Sequence, residues 1–124
     1  LNRAPMDTAG LLVEEEGVRK PDDFRHEQYL QVEEAGKKIL ISGCSHKGLL
    51  NILSWFRPDV FFGGFHFIRM DPHGRELGDA LRQLQKFSTR YFTGHCTGQA
   101  QFDRLKSFLG QQLQPLHTGT EILI

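Results

Sequence analysis

The sequence predicts an α/β fold in which strand–helix units follow one another and their strands run parallel. Short apolar runs at residues 38–42, 60–62 and 89–93 each precede a stretch whose apolar residues have helical spacing. The run at 60–62 is apolar throughout, which is typical of strands buried on both faces of a parallel sheet. The chain has 124 residues, enough for one hydrophobic core, so we expect residues 1–124 to form a single domain.

The N-terminal third of the chain carries weaker signals. Residues 1–10 are predicted to be irregular, and residues 11–15 to form a short strand. The stretch 16–25 is charged and contains a proline, so it is predicted to be a solvated loop. Polar and apolar residues alternate over 28–33, and this period of two indicates a half-buried strand. A tight turn then predicts a hairpin with the strand at 38–42.

The parallel units occupy the rest of the chain. Apolar residues recur every three or four positions in three stretches, which indicates helices with one buried face. Gly110 follows the last of them, where a left-handed glycine cap is favoured. Helices are predicted at 47–56, 75–87 and 98–109, a loop at 67–74, and further strands at 60–62, 89–93, 113–116 and 121–124.

The composition argues against several functional classes. Lys+Arg and Asp+Glu are 15 each, so no net field attracts nucleic acid or an anionic membrane. No apolar run approaches the roughly 20 residues of a membrane span, and no secretory signal is visible. Two cysteines are too few for a disulfide framework, so we interpret both as reduced thiols of a cytoplasmic protein. A bridge between Cys44 and Cys96 is the alternative.

Histidine and cysteine residues follow three of the predicted strands. Cys44 and His46 come after the first, His66 after the second, and His95 and Cys96 after the third. The carboxyl ends of parallel strands open on one edge of a sheet, so we expect these side chains to gather there. Imidazole nitrogen and thiolate sulfur are ligands that zinc prefers. A metal site that uses His46, His95 and Cys44 is therefore predicted, with His66 nearby.

Other interpretations of the polar residues stay open. Residues 96–98 precede a predicted helix and resemble a phosphate cradle with a thiolate nucleophile, but the phosphatase pattern needs an arginine where Phe102 stands. His26 lies in an acidic stretch that is either a ligand cluster or a solvated loop. His73 and His117 are predicted to be surface or turn residues. A group of phenylalanines is predicted either to floor a substrate pocket or to fill the core: Phe61, Phe62, Phe65 and Phe67.

Four short motifs resemble a known family in their order and spacing. They are Glu27-Gln28-Tyr29-Leu30, Gly43-Cys44-Ser45-His46-Lys47-Gly48, Gly63-Gly64-Phe65-His66 and His95-Cys96-Thr97-Gly98. On these motifs, residues 21–98 resemble the C-terminal half of metallo-β-lactamase-fold hydrolases. The most similar group is the one related to dihydropterin ribofuranosyl-aminobenzene phosphate synthase.

The resemblance implies the C-terminal half of an αββα sandwich, with a mixed sheet, helices on one face and a metal site at one edge. One or two zinc ions are implied, with another divalent metal as the alternative. His95 stands where the superfamily has its last metal-binding histidine, and Cys44 where relatives carry a bridging ligand. His66, Cys96 and Thr97 are implied to contact a small-molecule substrate.

One expected motif has no match here. The superfamily's main metal motif, His-x-His-x-Asp-His, lies in its N-terminal half and is absent from these 124 residues. We therefore expect a fragment of a larger domain that supplies part of the metal site of a hydrolase and is inactive without the missing half or a second chain. The alternative function is a non-catalytic interaction module that pairs through its open sheet face, including as a homo-oligomer. A redox protein that uses Cys44 and Cys96 is the third.

Overall fold

The computed structural model describes residues 10–124, which contain seven strands, three α-helices and two short 3-10 helices, His95–Thr97 and Gly110–Gln112. The predicted irregular segment 1–10 falls almost wholly outside this range. The strands are β1 Leu12–Glu15, β2 Val18–Pro21, β3 Tyr29–Glu34, β4 Lys37–Ser42, β5 Val60–Phe62, β6 Arg90–Thr93 and β7 Leu113–Pro115. The helices are α1 Leu49–Phe56, α2 Arg75–Leu84 and α3 Gln99–Leu109.

The central sheet has the order β3-β4-β5-β6-β7. β3 and β4 pair antiparallel as the predicted hairpin, and the remaining neighbours pair parallel. One helix connects each parallel strand to the next, and the strand order follows the chain order. Right-handed crossovers that advance in one direction place every helix on the same face. The predicted α/β fold, with a mixed sheet and helices on one face, is confirmed.

The main core lies between the sheet and the three helices. Alternate residues of successive strands point into it, among them Leu40, Phe61 and Tyr91, each fully buried. The helices contribute the opposing apolar faces, which the predicted spacing had indicated. The Tyr91 hydroxyl donates a hydrogen bond of 3.0 Å to the Leu84 carbonyl, so this buried polar group has its partner. The core therefore holds strand ends and helix starts in fixed relation.

The opposite face of the sheet is only partly covered. Ile39, Val60 and Phe92 form a second, smaller apolar cluster, to which the three helices contribute nothing. Towards the hairpin edge the same face is open, because Leu30 is 58% exposed and its cross-strand partner Ile41 is 43% exposed. Residues 10–124 therefore form a two-layer structure in which part of the outer sheet surface is apolar and uncovered. We call this surface, which includes Leu30 and Ile41, the open sheet face.

The prediction of a solvated loop over residues 16–25 is wrong, because β2 forms a hairpin with β1. Glu16 and Gly17 both have positive φ, 51° and 77°, as a tight two-residue hairpin turn requires. This hairpin is largely exposed, and its sides are joined by ion pairs such as Glu14–Arg19. β1 agrees with the strand predicted at 11–15, whereas β2 is exposed throughout and so leaves no period-two signal.

The C-terminal strand predicted at 121–124 is also wrong, since no strand forms there. Ile122 instead packs against the second apolar cluster, so its hydrophobic character serves packing rather than pairing. The last helix ends as predicted, with Gly110 at φ 56° in the left-handed region. Among residues 10–124, no helix has both the length and the apolar character needed to cross a bilayer.

Candidate metal centre

Three loops at one edge of the sheet carry the predicted site residues. They leave the carboxyl ends of β4, β5 and β6, which are adjacent parallel strands. The backbone ties the loops together: the Gly64 N–H donates to the Gly43 carbonyl at 2.8 Å, and the Ile68 N–H donates to the Cys96 carbonyl at 3.1 Å. The side chains are therefore brought together by main-chain geometry, as the strand-end argument predicted.

Five nitrogen- and sulfur-bearing side chains form two overlapping triads. In one, the donor atoms of Cys44, His46 and His66 lie within 4.8 Å of one another. In the other, those of Cys44, His95 and Cys96 lie within the same distance, and Cys44 Sγ is 3.8 Å from His95 Nδ1. Cys44 belongs to both triads. The three predicted ligands are thus gathered with His66 and Cys96, and their role as ligands remains a prediction.

The chemistry of these donors fits a transition-metal ion of the zinc type. One triad offers one sulfur and two imidazole nitrogens, and the other offers two sulfurs and one nitrogen. Catalytic zinc sites use three protein ligands of these kinds and keep a further position open. Hard ions such as magnesium prefer oxygen ligands, which neither triad contains. The donor set therefore matches the group that the resemblance implies.

Each of the three loops holds a non-glycine residue in the left-handed region. The φ angles are 62° at Ser45, 56° at His66 and 51° at His95. Such backbone costs of order 1–3 kcal/mol per residue and persists only where the surrounding structure determines it. Because two of these residues belong to the triads and the third lies between two triad residues, the strain coincides with the cluster. This concentration is typical of functional sites.

Aromatic stacking holds the imidazole of His46. The Phe24 ring lies parallel to it, with centroids 4.2 Å apart and an angle of 4° between the planes. The ring of His66 also lies 4.2 Å from His46, tilted by 49°. Phe24 is buried, at 3% exposure. The segment before β3 therefore contributes a side chain that orients a predicted ligand, although no periodic pattern of residues indicates this contact.

A carboxylate fixes the backbone of the same loop. Glu27 accepts hydrogen bonds from the N–H groups of His46 at 2.7 Å and Lys47 at 3.2 Å, and from the Tyr29 hydroxyl. Burial raises the pKa of Tyr29, and its bond to Glu27 raises it further, so the phenol stays protonated. Glu27 thus links the start of β3 to the loop after β4.

Glu27→Gln is expected to lower the free energy of unfolding by about 1 kcal/mol, because hydrogen bonds to a charged acceptor are replaced by weaker ones. Urea denaturation monitored by circular dichroism measures the change. Glu34→Gln is the matched control, since Glu34 is exposed at the end of β3. Equal stability of both variants would contradict the anchoring role.

The acidic stretch around His26 does not form one site. His26 is exposed and its Nδ1 lies 3.9 Å from a carboxylate oxygen of Asp22, while Asp23 pairs with Arg25. Glu27 turns away toward the loop after β4. This favours the solvated-loop interpretation for Asp23 and His26, whereas the Asp22 side chain is only 12% exposed and accepts a hydrogen bond of 2.8 Å from the Phe24 N–H. His73 and His117 are exposed, as predicted.

Burial argues against Cys96 as a free thiolate nucleophile. Burial is the main cause that raises the pKa of Cys96 to about 12, and its interaction with Cys44 adds to it. The Cys96 thiol is therefore protonated at neutral pH unless a nearby positive charge lowers its pKa. Both cysteines are free, so the alternative of a Cys44–Cys96 disulfide is wrong for this structure.

Thr97, a predicted substrate contact, is only 1% exposed. Its hydroxyl accepts a hydrogen bond from the Phe65 N–H at 3.0 Å and shares another of 2.6 Å with the Thr93 hydroxyl. These bonds join the loop after β6 to the loop after β5. The structure therefore gives Thr97 a positioning role between two loops of the cluster.

Comparisons with known proteins agree with this geometry. No family model matches the chain. The chain is similar to the 7,8-dihydropterin-6-methyl-4-(beta-D-ribofuranosyl)-aminobenzene-5'-phosphate synthase of Methanocaldococcus jannaschii. The two sequences are 26% identical over 127 aligned positions, and the alignment covers 96% of this chain and 42% of the synthase. A solved metal-dependent hydrolase of the β-lactamase superfamily superposes with a TM-score of 0.79 and 26% identity, covering 97% of this chain and 51% of that one.

These similarities confirm the resemblance seen in the four motifs: the chain has the metallo-β-lactamase fold and is similar in sequence to the ribofuranosyl-aminobenzene phosphate synthase. It spans about half the length of the solved hydrolase, and less than half of the synthase.

Proposed function

We propose that this chain is part of a metal-dependent hydrolase and that its three loops supply part of a site for one or two zinc ions. The observation that carries the proposal is the meeting of His and Cys side chains from three separate loops around Cys44. Bound zinc supplies a water of pKa near 7 and polarises a substrate oxygen. The chain's own part is to orient the imidazoles. For His46, Phe24 stacks on the ring and Glu27 accepts a hydrogen bond from the backbone N–H.

The proposal includes a second segment that completes the site. The chain spans about half of the solved relative, and its open sheet face exposes Leu30 and Ile41. We propose that the missing half of the sandwich, in the same protein or as a second chain, covers this face and contributes further ligands. The substrate is a small molecule, and the two free thiols fit a reducing, cytoplasmic compartment. Without that segment we expect weak metal binding and little turnover.

Cobalt and zinc titration of the chain tests the proposal. We expect one or two ions per chain with thiolate-to-cobalt absorption, displaced by zinc and removed by a chelator. The protein that contains the completing segment is expected to hydrolyse phosphodiester or ester probes only when metal is present. A chain that shows no thiolate-to-cobalt absorption even at saturating cobalt would reject the metal site.

The open sheet face favours one alternative, a module that pairs without catalysis. Light scattering of the metal-free chain separates the two functions. A stable dimer that Ile41→Lys dissociates, with no retained metal, would favour the interaction module, because a charge on the apolar face opposes pairing. A metal-binding chain supports the hydrolase instead.

A further inference from the structure

A cavity of about 520 Å³ lies beside the candidate metal centre, between α1, the loop after β5 and α2. Ser45 and His66 form part of its wall. His66 is also a member of the first triad, so the cavity and the cluster share a side chain. The sequence contained one hint of it, the group of phenylalanines predicted to floor a pocket or fill the core.

The walls of the cavity are apolar and partly aromatic. Phe65 and Phe67 are both buried and lie edge to face, with ring centroids 5.5 Å apart. Leu50 and Met70 add flexible aliphatic surface on either side. Aromatic rings pair well with other rings in such edge-to-face arrangements. The other two phenylalanines of the group do not line the cavity. Phe61 belongs to the main core, as Phe65 and Phe67 also do, and Phe62 packs against the second apolar cluster.

The charged groups of the cavity lie at its exposed rim. Arg69, Glu76, Asp79 and Gln83 line it and are exposed to solvent, so they offer a cation, two carboxylates and an amide to a ligand's outer substituents. The volume falls within the range of roughly 300–1,000 Å³ that is typical of small-molecule sites. A largely apolar interior, with Ser45 and His66 in its wall and charged groups at its rim, suits an uncharged ring system that carries hydrogen-bonding substituents.

We propose that this cavity binds the non-reacting, aromatic-ring portion of a small molecule whose reacting group lies on the His66 side. When an enzyme binds a part of its substrate far from the reacting group, the binding energy helps to orient that group. A cavity next to the metal centre can serve this purpose. The role in orienting a reaction rests on the proposed function. The ring-binding property itself does not depend on metal, so the two are separable.

Indole, a small neutral aromatic probe, tests the cavity in the metal-free chain. In a ¹H–¹⁵N correlation titration with chelator present, we expect saturable shifts of amides around the cavity, including Ser45, Phe67 and Ala80. Ala80→Leu is expected to weaken binding at least tenfold by filling the interior. Ala100→Leu is the matched control, because Ala100 is exposed on α3 and does not line the cavity.

A second variant guards against misfolding. Ala80 is only 7% exposed, so leucine there can disturb the core, whereas Gln83→Phe narrows the cavity from its exposed rim. Shifts confined to the open sheet face, or binding that neither filling variant weakens, would overturn the inference. Retained zinc without indole binding would reject the cavity and leave the metal site standing. Indole binding by a chain that shows no thiolate-to-cobalt absorption at saturating cobalt would support the cavity and reject the metal site.

Discussion

Cys44→Ser is expected to weaken zinc and cobalt binding by at least about 100-fold. Cys44 is the one side chain that both triads share, so its loss removes a sulfur from each. Changes to groups that only support a metal ligand already cost about 10–100-fold in affinity, and loss of a ligand costs more. Serine is close in size to cysteine, so the loop after β4 keeps its packing. Competition with a chromophoric chelator measures the affinities, and the thiolate-to-cobalt absorption should fall.

Variants of a single triad provide the controls for Cys44→Ser. His66→Ala alters only the first triad, while Cys96→Ser and His95→Ala each alter only the second. If the triads hold separate ions, each of these variants should lose one ion and retain the other, while Cys44→Ser weakens both. Unchanged metal affinity in Cys44→Ser would contradict the shared-ligand arrangement. Circular dichroism confirms that each variant remains folded.

The placement of the cluster was predictable because it depends on topology. His46, His66 and His95 each follow an apolar strand, and parallel strands end at one edge, so the sequence predicted their meeting. The centre of the sheet was predictable from β5, which is apolar throughout as strands buried on both faces are. The first strand of the hairpin, β1, was predicted at 11–15, but β2 at 18–21 is exposed throughout and therefore has no pattern to detect.

The arrangement within the cluster was not predictable. The left-handed backbone at Ser45 and His66 sets which donors meet, and no spacing in the sequence encodes it. The stack of Phe24 on His46 joins positions 22 residues apart. Such contacts arise from tertiary packing, which local periodicity does not report. The division into two triads around Cys44 therefore depends on tertiary structure and is not encoded in any local sequence pattern.

Gly64→Ala is expected to destabilise the chain by about 3 kcal/mol and to disturb the second triad. A Cβ at Gly64 would lie 2.4 Å from Cys96 Sγ, closer than any nonbonded contact allows. Cys96 is buried, so its thiol has little room to move. Overpacking of this kind costs typically 1–3 kcal/mol. Thermal or urea unfolding gives the stability, and cobalt titration gives the effect on the metal site.

A double-mutant cycle identifies the cause of this effect. Gly64→Ala should cost less than about 1 kcal/mol in a Cys96→Ala background, because the clashing sulfur is absent. Gly43→Ala is the matched control in the neighbouring loop, since nothing lies within 4 Å of a Cβ there and its φ is not left-handed. If Gly64→Ala costs as much with Cys96→Ala as without it, the clash with the thiol is not the reason. A smaller cost in the Cys96→Ala background would instead show that glycine at position 64 leaves the space that the Cys96 thiol occupies beside Cys44.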